Sequence, residues 1–148
     1  MERVLDRLDK NRLLATSIGL VYLWFGILKF FPNLSPAEQL AKETINILTL
    51  GLISSHISIL MLAVIEVGIG LMFILNLQIK RTIWVSLGHM VMTFTPLFFF
   101  PDLSFSETPY AFTLVGQYIF KNIIIISAML AIYPSQKPHD VKENVTII

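Results

Sequence analysis

Four ionisable side chains lie within otherwise apolar stretches of this chain: Lys29, Glu66, His89 and Lys121. Inside a membrane such a side chain costs on the order of 3 kcal/mol on insertion scales, so each is a functional-site candidate by default. A carboxylate, an imidazole and two amines can form ion pairs, move a proton, or hydrogen-bond a carbonyl group of a ligand. The sequence therefore predicts a polar site within an apolar protein.

Depth in the membrane predicts which of these residues meet. Glu66 and Lys121 lie equally far into two spans that both run inward, about 13 Å below the outer boundary at a rise of 1.5 Å per residue. Equal depth predicts an ion pair between them, which is either functional or a structural pair that fixes helix register. We interpret Lys29, near the outer end of its span, as a snorkelling residue. His89, near the midplane, is interpreted as a hydrogen-bonded packing residue, with a proton relay or a metal ligand as the alternatives.

The last apolar stretch gathers further polarity. Gln117 and Lys121 lie one turn apart, and Asn122 is adjacent, which is typical of an inward-facing polar face. The predicted ligand-binding set is therefore Glu66, Gln117, Lys121, Asn122, Lys29 and His89. No second histidine or carboxylate stands at metal-ligand spacing from His89, so we expect no metal site.

Composition indicates what must hold these side chains. The chain of 148 residues is 55% hydrophobic and 14% charged, whereas a soluble domain carries about 25% charged residues. A domain of this size cannot hide so much apolar surface from water, so the missing solvent is a lipid bilayer. The net charge of +1 gives no reason to expect a nucleic-acid partner, and the lack of cysteine excludes disulfides and thiol chemistry.

Four stretches are long enough to cross about 30 Å of hydrocarbon as helices. The predicted spans are residues 13–31, 57–77, 83–100 and 112–133, within a single domain covering residues 1–148. The predicted fold is an all-α integral membrane four-helix bundle. Pro96 should kink the third span by leaving the carbonyl of Met92 without its usual donor, with Thr93 and Thr95 able to repair the local bonding. Gly68 and Gly70 should let a neighbouring backbone approach Glu66 closely.

Lysine and arginine positions predict the orientation, because cytoplasmic loops hold the excess of these residues. Lys42 is the one basic residue in the loops assigned to the outer side. Eight basic residues fall on the other side: Arg3, Arg7, Lys10, Arg12, Lys80, Arg81, Lys137 and Lys142. Both termini are therefore predicted to be cytoplasmic.

The two outer loops carry structural signals of their own. Ser35, Pro36 and Glu38 match an N-cap, a proline at the first helical position and a capping-box carboxylate. They predict a short amphipathic helix that runs to about Leu50 on the outer membrane face, or forms a lid over the bundle. The second loop, residues 101–111, is interpreted as either an ordered cap or a mobile strap.

Four fragments resemble the DoxX family, in the family's order and one on each span. They are Leu23-Trp-Phe-Gly-Ile-Leu-Lys-Phe-Phe31 followed by Leu34-Ser-Pro-Ala-Glu38, Glu66-Val-Gly-Ile-Gly70, Thr93-Phe-Thr-Pro-Leu97, and Gly116-Gln-Tyr-Ile-Phe-Lys-Asn122. The resemblance covers residues 12–133. It implies a compact four-helix bundle, and Lys29, Glu66, Gln117, Lys121 and Asn122 match positions where such proteins tend to carry polar residues.

The resemblance also implies a class of function. Family members are associated with quinone-linked sulfur oxidation, as a membrane subunit of a thiosulfate:quinone oxidoreductase, and others with oxidative-stress complexes or with receptor assembly. The first hypothesis is thus a redox-associated subunit of the bacterial inner membrane, with a redox or membrane protein partner, that binds a quinone or another lipid-soluble molecule in a polar midplane pocket. A small transporter or permease and a non-catalytic assembly factor are the alternatives. These hypotheses leave open whether the chain is itself an enzyme.

Overall fold

The computed structural model describes residues 9–35, 38–107 and 110–134. Its helices and strands are α1 (Lys10–Leu28), α2 (Glu38–Leu48), α3 (Ser55–Ile74), α4 (Ile79–Phe94), α5 (Pro96–Phe99), α6 (Pro101–Ser104), β1 (Phe105–Glu107), β2 (Ala111–Phe112), α7 (Leu114–Phe120) and α8 (Asn122–Ala131). Four helical segments are long and apolar enough to cross a membrane: Lys10–Leu28, Ser55–Ile74, Ile79–Phe99 and Leu114–Ala131. The prediction of a helical, multi-pass membrane chain is confirmed.

The first span begins at a capped helix end. The side chain of Asp9 accepts hydrogen bonds of 3.1 Å from the backbone N–H groups of Asn11 and Arg12, which would otherwise lack partners. The guanidinium of Arg12 donates to the carbonyl of Ile74 at 2.9 Å. A cation therefore lies at the C-terminal end of α3, where the helix dipole favours positive charge.

Glycines bring the backbones of α1 and α3 together. A Cβ atom at Gly19 would lie 2.8 Å from the carbonyl oxygen of Gly70, and one at Gly70 would lie 2.7 Å from the backbone nitrogen of Leu23. Helices approach this closely in membranes where small residues stand at the contact. The prediction for Gly70 is confirmed, whereas Gly68 faces open space and makes no such contact.

The apolar core draws on all four spans. Phe73, Ile83 and Met129 are fully buried and come from α3, α4 and α8. Ile18 and Tyr22 of α1 complete the contact. All four spans therefore meet in one cluster.

Pro96 breaks the third span as predicted. Helix α4 ends at Phe94, and α5 starts at the proline. The carbonyl of Met92 accepts a hydrogen bond of 2.7 Å from the hydroxyl of Thr95 and one of 3.2 Å from its backbone N–H. The fourth span has a similar break at Lys121, between α7 and α8, without a proline.

The connection after α1 contains helix α2, which packs against α3 and α5. Its buried residues are Glu38, Leu40 and Thr44. The helix begins at Glu38 in the described part, and the backbone N–H of Glu38 donates to the carbonyl of Ser35 at 3.2 Å. The predicted contribution of Pro36 lies outside the described residues.

The connection after α6 contains a short hairpin. Strands β1 and β2 pair antiparallel, and the rings of Phe105 and Phe112 stack with centroids 4.8 Å apart. The hydroxyl of Thr113 caps α7 by accepting from the N–H of Gly116 at 3.1 Å, and donates to the carbonyl of Leu103 at 2.7 Å. The hairpin is thus fixed to both flanking helices.

The side of the membrane on which these connections lie stays a prediction. Arg3, Arg7, Lys137 and Lys142, half of the basic residues that carry the orientation argument, lie outside the described residues.

Candidate functional site

A buried ion pair joins the first span to the middle of α3. The ammonium nitrogen of Lys29 lies 2.6 Å from Oε2 of Glu66, and the two side chains are only 8% and 9% exposed. Lys29 also donates to the carbonyl of Phe25 at 3.4 Å. A contact this short between two desolvated charges is a strong, charge-assisted hydrogen bond.

The close packing of α1 on α3 explains why these two residues meet. A Cβ atom at Gly26 would lie 2.8 Å from the backbone nitrogen of Val67 and 3.0 Å from the Cβ of Glu66. Lys29 follows nearly one helical turn later, at the end of α1. Because side chains on a helix lean toward its N-terminus, the lysine side chain points back toward the level of Glu66.

Lys29 is therefore deep in the bundle. From Glu66, helix α3 extends back to its first residue, Ser55, over about 16 Å at 1.5 Å per residue. Helix α1 stops at Leu28, well short of that end of α3, and α2 packs against α3. The interpretation of Lys29 as a snorkelling residue is wrong, since its charge is bound to a carboxylate inside the protein.

His89 and Tyr22 extend the ion pair across to α4. Nε2 of His89 lies 3.4 Å from Oε1 of Glu66, a contact that is long for a hydrogen bond. On the other side of the ring, Nδ1 lies 3.2 Å from the hydroxyl of Tyr22, which is also 3.4 Å from the carbonyl oxygen of Ser86. The interpretation of His89 as a hydrogen-bonded residue agrees with this arrangement. We call Lys29, Glu66, His89 and Tyr22 the ion network.

Charged groups of α2 continue the series toward the end of the bundle. The carboxylate of Glu38 accepts from the ammonium of Lys42 at 2.5 Å and from the backbone N–H of Asn33 at 2.8 Å. The hydrogen bond from Lys42 holds the pKa of Glu38 below its ordinary value, and the charge of Lys29 acts in the same direction. Positive and negative groups thus alternate from Lys42 inward to Glu66.

The predicted pair of Glu66 with Lys121 is not formed. Both oxygens of Glu66 are taken by Lys29 and His89, whereas the ammonium of Lys121 lies 3.8 Å from the ring centroid of Tyr118 on the exposed surface of the fourth span. The physical reason is that the first span ends at the depth of Glu66, so its terminal lysine is the nearer cation. The polar face of the fourth span points away from the ion network.

The remaining predicted residues of that span divide between two environments. Gln117 is exposed, and its amide donates to the carbonyl of Phe112 at 3.4 Å. Asn122 is half-buried and donates to the hydroxyl of Thr93 at 3.2 Å, which links the fourth span to the third. Neither residue contacts Glu66 through the hydrogen bonds of the described structure.

Tyr22 is the site residue that sequence reasoning missed. It is 3% exposed and lies in the middle of the first span. A tyrosine hydroxyl at that depth requires a hydrogen-bond partner, because tyrosine in membrane proteins is otherwise enriched at the interfaces. The mid-span position of Tyr22 in the sequence therefore predicts a polar group close to its hydroxyl.

The polar atoms of the ion network are bonded to one another and to nearby backbone carbonyls. Two cavities of about 410 and 260 Å³ in the described part of the chain are lined by residues such as Arg12, Asn76 and Tyr133 in one case and Gln39 and Ser55 in the other. Neither is lined by a residue of the ion network. Within residues 9–35, 38–107 and 110–134, no buried side-chain nitrogen or oxygen lacks a partner, and no group of three metal-ligating side chains occurs.

Compared with known proteins, the chain matches no family model, no curated protein and no solved structure. The ion network therefore has to be interpreted from its own chemistry.

Proposed function

We propose that this chain is a redox-associated, DoxX-like subunit of the bacterial inner membrane that works with a quinone or a similar lipid-soluble molecule. The observation that carries the proposal is the buried pair of Lys29 and Glu66, 2.6 Å apart, with His89 on the other carboxylate oxygen. Three ionisable groups in contact at mid-bundle can hold and pass a proton without exposing a lone charge to lipid.

The contacts within the ion network leave no room for a quinone ring, so the molecule would bind elsewhere on the bundle. Every polar atom of the ion network has a protein partner, and neither cavity reaches it, so a ring placed between Lys29 and Glu66 would displace an existing contact. The residues suit proton exchange with a molecule held on the bundle surface better than a closed midplane pocket. This changes the earlier expectation of a ligand bound directly by the whole predicted set.

Exposed aromatic side chains that follow Lys29 and His89 along the chain could hold a flat ring. Phe30 and Phe31 directly follow Lys29 and are 43% and 54% exposed. Phe98 and Phe99 lie beyond His89 along the third span, and Phe98 is 81% exposed. Offset stacking on such rings is favourable, and apolar surroundings suit a lipid-soluble molecule.

A quinone would supply the electron-accepting carbonyl groups, and its reduction takes up protons together with electrons. This chain has no cysteine, so its side chains supply protons rather than thiol electrons. The electrons would come from a redox protein partner in the same membrane. Lys29, Glu66 and His89 would then act as the proton-transferring part of the complex.

A second candidate, the membrane assembly factor, is favoured by the fourth span. Gln117 and Lys121 lie one turn apart on its exposed face, and an exposed lysine at that depth is costly against lipid alone. A partner helix with a hydrogen-bonding or acidic side chain would cover that face.

Bound-molecule analysis tests the proposal. The full chain is extracted with its surrounding lipid in polymer nanodiscs, and the quinone content per phospholipid is measured by mass spectrometry. We expect enrichment over the bulk membrane, and a several-fold reduction when Phe98 and Phe99 are both changed to alanine. Leu114→Ala, which removes a 69% exposed apolar side chain elsewhere, is the matched control and should keep the enrichment.

Three results would assign another function. A quinone content equal to that of the bulk membrane would exclude the redox proposal. Solute flux into liposomes that hold the pure chain would favour the transporter, and a stable protein partner with neither property would favour the assembly factor.

A further inference from the structure

The hydroxyl group of Tyr22 lies between two hydrogen-bond acceptors but has one proton to donate. Its oxygen is 3.2 Å from Nδ1 of His89 and 3.4 Å from the carbonyl oxygen of Ser86, both on α4. The hydroxyl can donate to either group, and it can accept only from the imidazole, because a carbonyl has no hydrogen. The protonation state of His89 therefore decides where the tyrosine proton points.

Glu66 sets the tautomer of the neutral imidazole. The carboxylate is ionised by its contact with Lys29 and can only accept, so Nε2, which faces Oε1 of Glu66, carries the ring hydrogen. Nδ1 is then unprotonated and accepts from the hydroxyl of Tyr22. In this state the charges of Lys29 and Glu66 cancel.

Addition of one proton reverses the bond on the tyrosine side. The proton binds to Nδ1, which becomes a donor to the oxygen of Tyr22, and the hydroxyl hydrogen turns to the carbonyl of Ser86. No electron moves and no covalent bond other than N–H forms. Every donor keeps an acceptor in both states, which is the condition for a buried group to change charge at a tolerable free energy.

We propose that His89 is a buried, reversible proton-binding site and that the hydroxyl of Tyr22 is its two-position switch. Both states are built from contacts that the structure already holds, and the imidazolium has the carboxylate of Glu66 as its counter-charge. The site lies between α1, α3 and α4, so a change in charge there acts on three spans at once.

The charged groups that face the site come from three neighbouring helices. Glu66 on α3 and Lys29 on α1 form the nearest pair, and Glu38 and Lys42 of α2 form the next one. From the fourth span, Asn122 bonds the hydroxyl of Thr93 on α4 and is uncharged. Lys121 lies on the ring of Tyr118.

Nitrogen NMR of the full chain in lipid bilayers tests the proposal. The chain is labelled with ¹⁵N-histidine, and its other two histidines are removed as His56→Gln and His139→Gln. At high pH we expect a neutral ring with hydrogen on Nε2 and none on Nδ1. On acidification both nitrogens should become protonated, and the Cζ signal of ¹³C-labelled Tyr22 should shift with the same midpoint.

Two variants separate the switch from simple exposure of a histidine. Glu66→Gln removes the counter-charge and should lower the proton affinity of His89 at least about tenfold. Tyr22→Phe removes the acceptor for the Nδ1 hydrogen and should lower it in the same direction. Tyr110→Phe, at an 89% exposed position, is the matched control and should leave the titration unchanged.

Several results would overturn the proposal. These are a neutral ring with its hydrogen on Nδ1, a Tyr22 signal that ignores the titration of His89, or a ring that stays neutral across the range in which the chain is folded. The proposal concerns a proton alone and does not depend on the proposed function. Quinone enrichment without titration of His89 would defeat only the switch, and titration without quinone would defeat only the redox role.

Discussion

Gly26 of α1 lies against Glu66 of α3 so closely that a Cβ atom on the glycine would come within 3.0 Å of the Cβ of the glutamate. The same added atom would lie 2.8 Å from the backbone nitrogen of Val67, which cannot move independently of the helix. This approach sets the distance between the two helices at the level of the ion network. The short contact between Lys29 and Glu66 depends on it.

Gly26→Ala should therefore destabilise the bundle. Overpacking of a tight contact typically costs about 1–3 kcal/mol, and here it would also separate Lys29 from Glu66. Gly68→Ala is the matched control, since a Cβ atom there meets nothing within 4 Å. Thermal unfolding in detergent measures both. An equal effect of the two substitutions would show that the contact at Gly26 is not tight.

The carboxylate of Glu38 should make stability depend on pH in the acid range. Its folded-state pKa is held below the ordinary value of 4.5, first by the hydrogen bond from Lys42. A lowered folded pKa means that the stabilisation is fully present above the unfolded pKa and is lost as the pH falls through the folded one.

The difference in unfolding temperature between wild type and Glu38→Gln should consequently be largest above pH 5 and shrink as the pH falls below about 4.5. Glu43→Gln is the control on the same helix, since Glu43 accepts from the neutral amide of Gln39 at 3.0 Å. A pH-independent difference for Glu38→Gln would contradict the assignment.

Local signals in the sequence predicted local structure well. The four spans follow from apolar length, and the break at Pro96 with its repair by Thr95 follows from the missing N–H of proline. The long-range partner of Glu66 could not be predicted in the same way. Counting residues gives equal depths only when all spans start at a common boundary, but α1 ends at the middle of α3. That offset places Lys29 at the depth assigned to Lys121.

The sequence also does not predict which side of each helix faces the bundle. Gln117 and Lys121 share one face of the fourth span, as predicted from their spacing, yet that face is exposed. With hydrophobic residues all round a membrane helix, periodicity does not distinguish the lipid side from the protein side. Tyr22 also stands among apolar residues in an apolar span, and only the depth of its hydroxyl indicates a polar partner.

Thiol labelling should reveal the orientation of the chain. The chain has no native cysteine, so Ser106→Cys in β1 and Ser135→Cys, beyond the described residues, are each the sole target. The excess of lysine and arginine predicts that an impermeant maleimide added to intact cells labels position 106 and spares position 135. Permeabilised cells, in which both should react, are the control. The reverse pattern in intact cells would place both termini outside.

The ion pair between Lys29 and Glu66 should appear as a large coupling energy. Lys29→Met and Glu66→Gln each leave the other charge buried without its partner, at an expected cost of about 3–5 kcal/mol. The double variant removes both charges and should recover part of that loss, because no uncompensated charge remains. The coupling energy is obtained from the free energies of unfolding of the wild type, both single variants and the double variant in detergent.

The same cycle with Lys121→Met in place of Lys29→Met distinguishes the observed pair from the one predicted by depth. Lys121 lies on the ring of Tyr118 and is not within ion-pair distance of Glu66, so its effect should add to that of Glu66→Gln within about 0.5 kcal/mol. Coupling between Lys121 and Glu66 with strict additivity between Lys29 and Glu66 would reverse the assignment.

His89→Gln, combined with Glu66→Gln, measures the contact between His89 and Glu66 in the same way. Its coupling to Glu66 should be smaller than that of Lys29, because the contact is 3.4 Å rather than 2.6 Å.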